Sequence, residues 1–242
     1  MKLSRVVNKV WLGMLGVVLA FGWGQVAHGS IAFSASGSDY TASSSTAAVI
    51  PDNDPSGIAY SLNFATSGLN ISSISVTLNI SGGYNGDLYA YLSHGSQTLV
   101  LLDRVGVSSS SAYGFSTAGL NVILSDLGSA NIHGVSSPTS GGTYLADGQT
   151  TSPLASSSSF SATGGSATFG NTFSGDPSGN WTLFFADVSG GGVSTLNGFS
   201  VDITAVPEPI NTALGIFLGL WGALAGVGCL LRVRNKANQL PG

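Results

Sequence analysis

Charge is what this chain has least of. Charged residues make up 7% of its 242 positions, against about a quarter in ordinary soluble domains. Thirty-five glycines and serine runs such as Ser108 to Ser111 and Ser156 to Ser159 supply the polarity instead. Basic side chains are the scarcest. Lys2, Arg5 and Lys9 precede the first apolar stretch and Arg232, Arg234 and Lys236 follow the last, which leaves Arg104 alone between them. From Ser30 to Ala205 that arginine faces ten aspartates, for a formal charge of −9. A surface of this sign repels phosphate, so it excludes nucleic acid and anionic lipid head groups as partners, while attracting divalent cations. Disorder is excluded as well. Disordered chains combine few apolar residues with high net charge, whereas 43% of this chain is apolar and arranged in short periodic segments.

Cysteine and histidine are nearly missing too. Cys229 is the only cysteine, so no intrachain disulfide can form. It lies in an apolar segment, either as a small hydrophobe or as a lipid attachment point. Between the two ends the histidines are His94 and His133, neither with a second His or Cys at metal-ligand spacing, which excludes a zinc site. A hydrolase needs a nucleophile with a base in reach, yet no G-x-S-x-G elbow occurs. A secreted hydrolase is therefore a remote third reading, and the chain reads as non-enzymatic. No helix-length 3.6-residue pattern appears between Ser30 and Ala205.

The two ends carry the long apolar runs. Residues 1 to 29 have a basic start, an apolar run from Val10 to Trp23, and small residues Ala27 and Gly29 around His28. This is the order of a secretory signal cut near Gly29-Ser30, the alternative being a retained anchor. Ile210 to Leu231 is uncharged and, at about 1.5 Å per residue, reaches about 33 Å as a helix, enough to cross a bilayer. Arg232, Arg234 and Lys236 follow as a membrane stop, so the positive-inside rule keeps the tail in the cytoplasm and the body outside. Gly215 with Gly219 and Gly222 with Gly226 fit either close helix packing or a weak anchor.

Between the ends the period is two. Ile74, Val76, Leu78 and Ile80 alternate with Ser75, Thr77 and Asn79, which predicts a half-buried strand. Tyr84-Asn85-Gly86-Asp87 reads as a turn, and alternation over Leu88 to Ser93 completes an expected hairpin. His94-Gly95-Ser96 is the next turn, and further strands are predicted at Thr98 to Asp103, Asn121 to Ser125, Asn180 to Val188 and Phe199 to Ile203. Trp181, Leu183 and Phe185 share one face. The expected fold is all-β, an antiparallel β-sandwich or jelly roll flanked by the two terminal helices.

Two resemblances add to this. Val206-Pro207-Glu208-Pro209, the apolar helix and the Arg-rich end together resemble a PEP-CTERM sorting signal. That resemblance implies recognition by an exosortase, a membrane protease and transpeptidase-like enzyme of Gram-negative bacteria that make exopolysaccharide. Ile50-Pro51-Asp52, Gly86-Asp87-Leu88, Leu99 to Leu102, Gly142-Thr143-Tyr144, Gly179 to Leu183 with Ala186-Asp187, and Leu196 to Phe199 occur in the order of a P domain, the module found beside subtilisin-type convertases. Residues 155 to 170 depart from that pattern as an insertion. The P-domain resemblance implies an antiparallel jelly roll serving adhesion or stabilisation.

The expected division is a signal peptide over 1–29, a Ser/Ala-rich segment over 30–49, a P-domain-like sandwich over 50–205, a sorting signal over 206–236 and a cytoplasmic end over 237–242. Two candidate sites lie in the body. Asp52, Asp54 and Asp87 offer oxygens for calcium, the alternative being turn chemistry; Asn63 stands where an EF-hand needs its glutamate, so no EF-hand is present. Tyr89 and Tyr91, two rises apart on one strand face, offer a glycan platform or cross-strand packing. The leading expectation is an exported structural or adhesive protein of the cell surface or extracellular matrix. It would use the secretion machinery, pass through a single-span inner-membrane precursor and meet the sorting enzyme. A carbohydrate-binding module of the exopolysaccharide matrix is the alternative.

Overall fold

The structure is a computed structural model and describes residues 26–208. The signal segment before Val26, the membrane span, the basic stop Arg232, Arg234 and Lys236, and Pro209 of the sorting motif lie outside the described residues. So do the two expected terminal helices. Among the described residues no helix is long and apolar enough to cross a membrane.

The described chain is all-β. Its strands are β1 (Val26–Ala32), β2 (Ser34–Ser36), β3 (Asp39–Ser44), β4 (Ala48–Ile50), β5 (Asp54–Phe64), β6 (Leu69–Gly82), β7 (Leu88–His94), β8 (Gln97–Asp103), β9 (Leu120–Ser125), β10 (Gly142–Tyr144), β11 (Gly179–Asp187) and β12 (Ser194–Pro207). The one α-helix among the described residues is a single turn, α1 (Phe169–Thr172). Five strands form one sheet in the order β1-β5-β11-β7-β8. The second runs β10-β9-β6-β12-β3-β2, with β4 also paired to β12.

Alternation builds one core from both sheets. Val76, Leu78 and Ile80 of β6 and Phe199, Val201 and Ile203 of β12 point inward from one sheet; Leu62 of β5, Leu92 of β7, and Trp181, Leu183 and Phe185 of β11 point inward from the other. β11 is the central strand of its sheet, and its other face is covered as well. Phe184 and Ala186 are buried there with Ala59, against Tyr89, Tyr91 and Val188.

Several expectations are corrected. The sheets are mixed, since β1 runs parallel to β5 and β10 parallel to β9. The Asn85-Gly86 turn does not close a hairpin, because β6 and β7 belong to different sheets. Asn85 is buried instead, its amide donating to the Gly119 carbonyl (3.0 Å) and Thr117 Oγ1 (3.2 Å). Gly86 is glycine because a Cβ would collide with the Tyr113 carbonyl, so its role is close approach, not hairpin geometry. His94 does pair with Gln97, making the β7–β8 connection a tight hairpin with Gly95 at φ 57°.

Residues 30–49, the expected Ser/Ala-rich segment before the sandwich, pair into the sheets. β3 pairs with β12 through Tyr40 and Ala42, both buried, and β4 caps the start of β12. The expected cleavage point Gly29-Ser30 falls within β1, whose first half pairs Val26 with Ile58 and stacks the ring of His28 on Tyr60 at 4.5 Å. The low-complexity stretch 155–170 is also stitched in, because Phe160 and Phe169 are buried. Thr168 and Asn171 form a reciprocal capping box on α1, and the Asp126 carboxylate accepts from the first two helical N–H groups at 2.9 and 2.7 Å.

Trp181 joins these parts. It is fully buried, stacks on His94 (4.3 Å, 10°), meets Phe173 (5.0 Å) and donates from Nε1 to the Pro177 carbonyl (2.8 Å). Trp181→Ala is expected to cost about 3–5 kcal/mol through lost burial and cavity formation. Urea unfolding should show this as a lower midpoint at unchanged slope.

Candidate functional site

Three places gather polar or aromatic side chains. At one end of the sheets, Asp187 is fully buried and lies within electrostatic reach of Asp52 and Asp87. Its carboxylate accepts from the Ser189 amide (3.4 Å) and the Ser194 hydroxyl (3.3 Å). Burial, helped by the neighbouring charges of Asp87 and Asp52, pushes its pKa up to about 6. Burial also raises Asp87, partly offset by the Arg104 guanidinium. Two non-glycine residues with left-handed backbone, Asn53 (φ 53°) and Arg104 (φ 52°), flank this end.

The structure does not bring Asp52, Asp54 and Asp87 together as a calcium set. Asp54 folds back on Ser56, accepting from its hydroxyl (2.6 Å) and its amide (2.9 Å), and those bonds lower its pKa. This is the turn chemistry that Asp performs before a glycine such as Gly57. Among the described residues no three His, Cys, Asp or Glu side chains are placed to hold a metal ion.

On the outer face of the five-stranded sheet, Tyr89 and Tyr91 lie 6.0 Å apart with their rings tilted by 59°. Tyr91 stacks on Phe184 of the adjacent β11 (4.8 Å, 18°), and Tyr89 meets the same ring edge-on (6.3 Å). The pair is half-buried and angled, so it presents a cluster, not a flat two-ring plane. Phe184, on the same outer face of β11 as Ala186, completes this cluster. The period-two reading of β11 placed Trp181, Leu183 and Phe185 on one face and did not mark Phe184.

The third place was invisible in the sequence. His133 is fully buried, with Nδ1 2.7 Å from Asp147 Oδ2 and Nε2 2.9 Å from the Val107 carbonyl oxygen. Gln149 donates to Asp147 Oδ1 (3.0 Å), and Asp103 lies beside them with both carboxyl oxygens buried and unpartnered. His133 is therefore not isolated, as its spacing had suggested. The pair is still not a catalytic dyad, because Nε2 is spent on a backbone carbonyl and the ring is closed to solvent. The one local sign is a shared pattern, an apolar residue, a polar one and glycine, in Ile132-His133-Gly134 and Ala146-Asp147-Gly148.

At the far end of β12, Val206 and Pro207 of the tail motif are exposed and still paired with Asn70 and Leu69 of β6. Glu208 is half-buried, its amide 3.4 Å from the Gly68 carbonyl. The chain matches no family model, no curated protein and no solved structure.

The raised pKa of Asp187 carries a sign. Its folded value of about 6 exceeds the ordinary value of about 4, so the folded state holds the proton more tightly. Its contribution is complete below pH about 4 and lost as pH rises to about 6, by up to tenfold in the folding constant per pH unit. Urea titrations across this range should show a steeper fall for the native chain than for Asp187→Asn.

Proposed function

We propose that this chain is an exported, non-enzymatic protein of the cell surface or extracellular matrix, with a structural or adhesive role. Its β domain is a jelly-roll sandwich of P-domain type. A signal peptide directs export, and a PEP-CTERM tail holds a single-pass inner-membrane precursor until an exosortase-type enzyme processes it near Val206-Pro207-Glu208-Pro209. The product then resides on the outer surface or outside the cell.

The observation that carries this reading is where the packed domain stops. The buried core runs from Tyr40 to Ala205, and the motif begins at the next residue, on exposed, extended backbone whose first two residues end the β12 pairing with β6. Extended strips of this kind suit a protease cleft, and proline keeps them extended. The sandwich assignment is supported by two sheets that share one core. The two parallel edge pairings depart from the expected pattern without disturbing that core.

The test is intact mass and membrane fractionation of the native protein with and without the sorting enzyme. With the enzyme, loss of the apolar tail and release from the inner membrane are expected. A tail that stays attached in its presence rejects the processing.

A second reading, a carbohydrate-binding module of the exopolysaccharide matrix, is favoured by the Tyr89, Tyr91 and Phe184 cluster on the outer sheet face. Aromatic rings offer the apolar faces of sugars a large contact area at low entropic cost. Retention of the native chain on polysaccharide beads, lost on replacing Tyr89 and Tyr91 by alanine in a variant that still melts cooperatively, is the expected outcome. Elution of the native chain in the void volume under every ionic condition removes this reading and leaves the first intact.

A further inference from the structure

Asp103, His133 and the Asp147–Gln149 pair come from three separate stretches of chain, and all four side chains are nine-tenths or more buried. Asp147 Oδ2 lies 2.7 Å from His133 Nδ1 and the Val107 carbonyl oxygen 2.9 Å from Nε2, while the Gln149 side-chain nitrogen is 3.1 Å from Nδ1 and also donates to Asp147 Oδ1. The shorter contact assigns an Nδ1 proton to the bond with Asp147, and with Nε2–H on Val107 the ring takes the imidazolium form. Desolvation opposes that charge, but the hydrogen bond and charge of Asp147, with the Val107 carbonyl, outweigh it and raise the His133 pKa. Asp147 also accepts from the backbone N–H of Asp103 at 3.1 Å.

The Asp103 side chain has no such support. It is fully buried, and neither oxygen has a partner. Four titratable or charged groups bear on it: Asp147 and His133 from the loops, Arg104 from the end of its own strand, and Tyr89, its cross-strand neighbour on β7. Burial and the Asp147 charge push its pKa up to about 8, against smaller opposing effects of His133 and Arg104. Tyr89 is held protonated well above its ordinary range, first by burial and then by Asp103. The neutral acid is thus the resting form of Asp103, and the cluster is charge-balanced with one imidazolium and one carboxylate.

This cluster sits where the irregular chain after β9 is fastened to the sheet. The amides of Asp147 and Gly148 donate to the carbonyls of Leu101 and Val100 and so cover the edge of β8 (3.1 and 3.0 Å). Asn131 donates to the carbonyls of Ala146 and Asp147 (both 2.9 Å). Ser161 donates its amide to Gln149 Oε1 (2.7 Å), and the Gly165 amide donates to the Asp147 carbonyl (2.7 Å). Segments around residues 107, 131, 147 and 161 to 165 therefore hang from one polar knot.

We propose that this knot is a proton-operated clasp: the protonated carboxyl of Asp103 lets these segments close over the β8 edge, and loss of that proton loosens them and bares the strand. A second carboxylate formed beside Asp147 would be buried with no partner to offset its desolvation. The first bonds to yield are those of Asp147 and Gly148, because they are carried by the loop and not by the sheet. The bared carbonyls of Val100 and Leu101 would then form an unprotected strand edge, the kind of surface to which other chains add.

The test uses the full-length chain. Carboxyl carbon NMR is expected to show Asp103 titrating near pH about 8, with both His133 ring nitrogens protonated at pH about 6. Amide exchange at Asp147 and Gly148, corrected for intrinsic rates, should accelerate relative to β11 amides above that pH. Asp103→Asn, which mimics the neutral acid, should abolish a loss in the folding constant of about tenfold per pH unit between pH about 4 and 8. An Asp103 that titrates below pH about 5 overturns the clasp, as does a variant that keeps the native pH dependence or loop amides whose exchange is unchanged. Should Asp103→Asn fail to fold, the titration and exchange of the native chain decide alone.

Discussion

The fold depends on the meeting of two apolar rows. Trp181, Leu183 and Phe185 on β11 face Phe199, Val201 and Ile203 on β12 across the interior, and the rows are joined by only the short connection through Gly190 to Gly192. Each row is the centre of its sheet: β11 lies between β5 and β7, and β12 between β6 and β3. With so little charge available, burial of these rows carries the hydrophobic stabilisation, and backbone ladders satisfy the amides. Everything outside the rows must then be held by neutral hydrogen bonds or by burying a few charges completely.

The aspartates show how that second requirement is met. Few cations are available, so the carboxylates turn to backbone amides and hydroxyls: Asp126 to the start of α1, Asp176 to the amides of Gly68 and Ser178, Asp54 to Ser56, and Asp202 to Thr41 and Ser200. Asp103 and Asp187 are pressed inside, where burial favours the neutral acid. The only described ion pair that involves a side chain on each partner, His133 with Asp147, is sealed in the same region. A chain of this composition behaves as a set of hydrogen-bonded carboxyls more than as a charged surface.

Function divides along the same line. The buried core ends at Ala205, and the features proposed to direct traffic lie at the ends. The proposed sorting role draws on the tail and on the exposed end of β12. The proposed clasp draws on loops far from that end in sequence, and neither requires the other.

The sequence by itself determined the strands and their inward faces. Alternation in β6, β7, β11 and β12 is a local property of a half-buried pleat, and the residues it marked at Val76, Leu92, Trp181 and Val201 are buried. Even there it stopped at one layer, since it did not mark Phe184 and made Asn85-Gly86 a hairpin. Both have one cause: whether a second face is covered, or which sheet receives the next strand, depends on chain arriving from elsewhere. Asp52 and Asp54 shared a motif yet parted, because Asp54 finds Ser56 two residues away before it can reach a distant acid. Asp103, His133 and Asp147, separated by 30 and 14 positions, carried no common spacing and still came together. Tertiary structure alone decided that cluster, because burial and the loss of water set both the partners and the protonation of a carboxyl, and neither is a property of its neighbours in sequence.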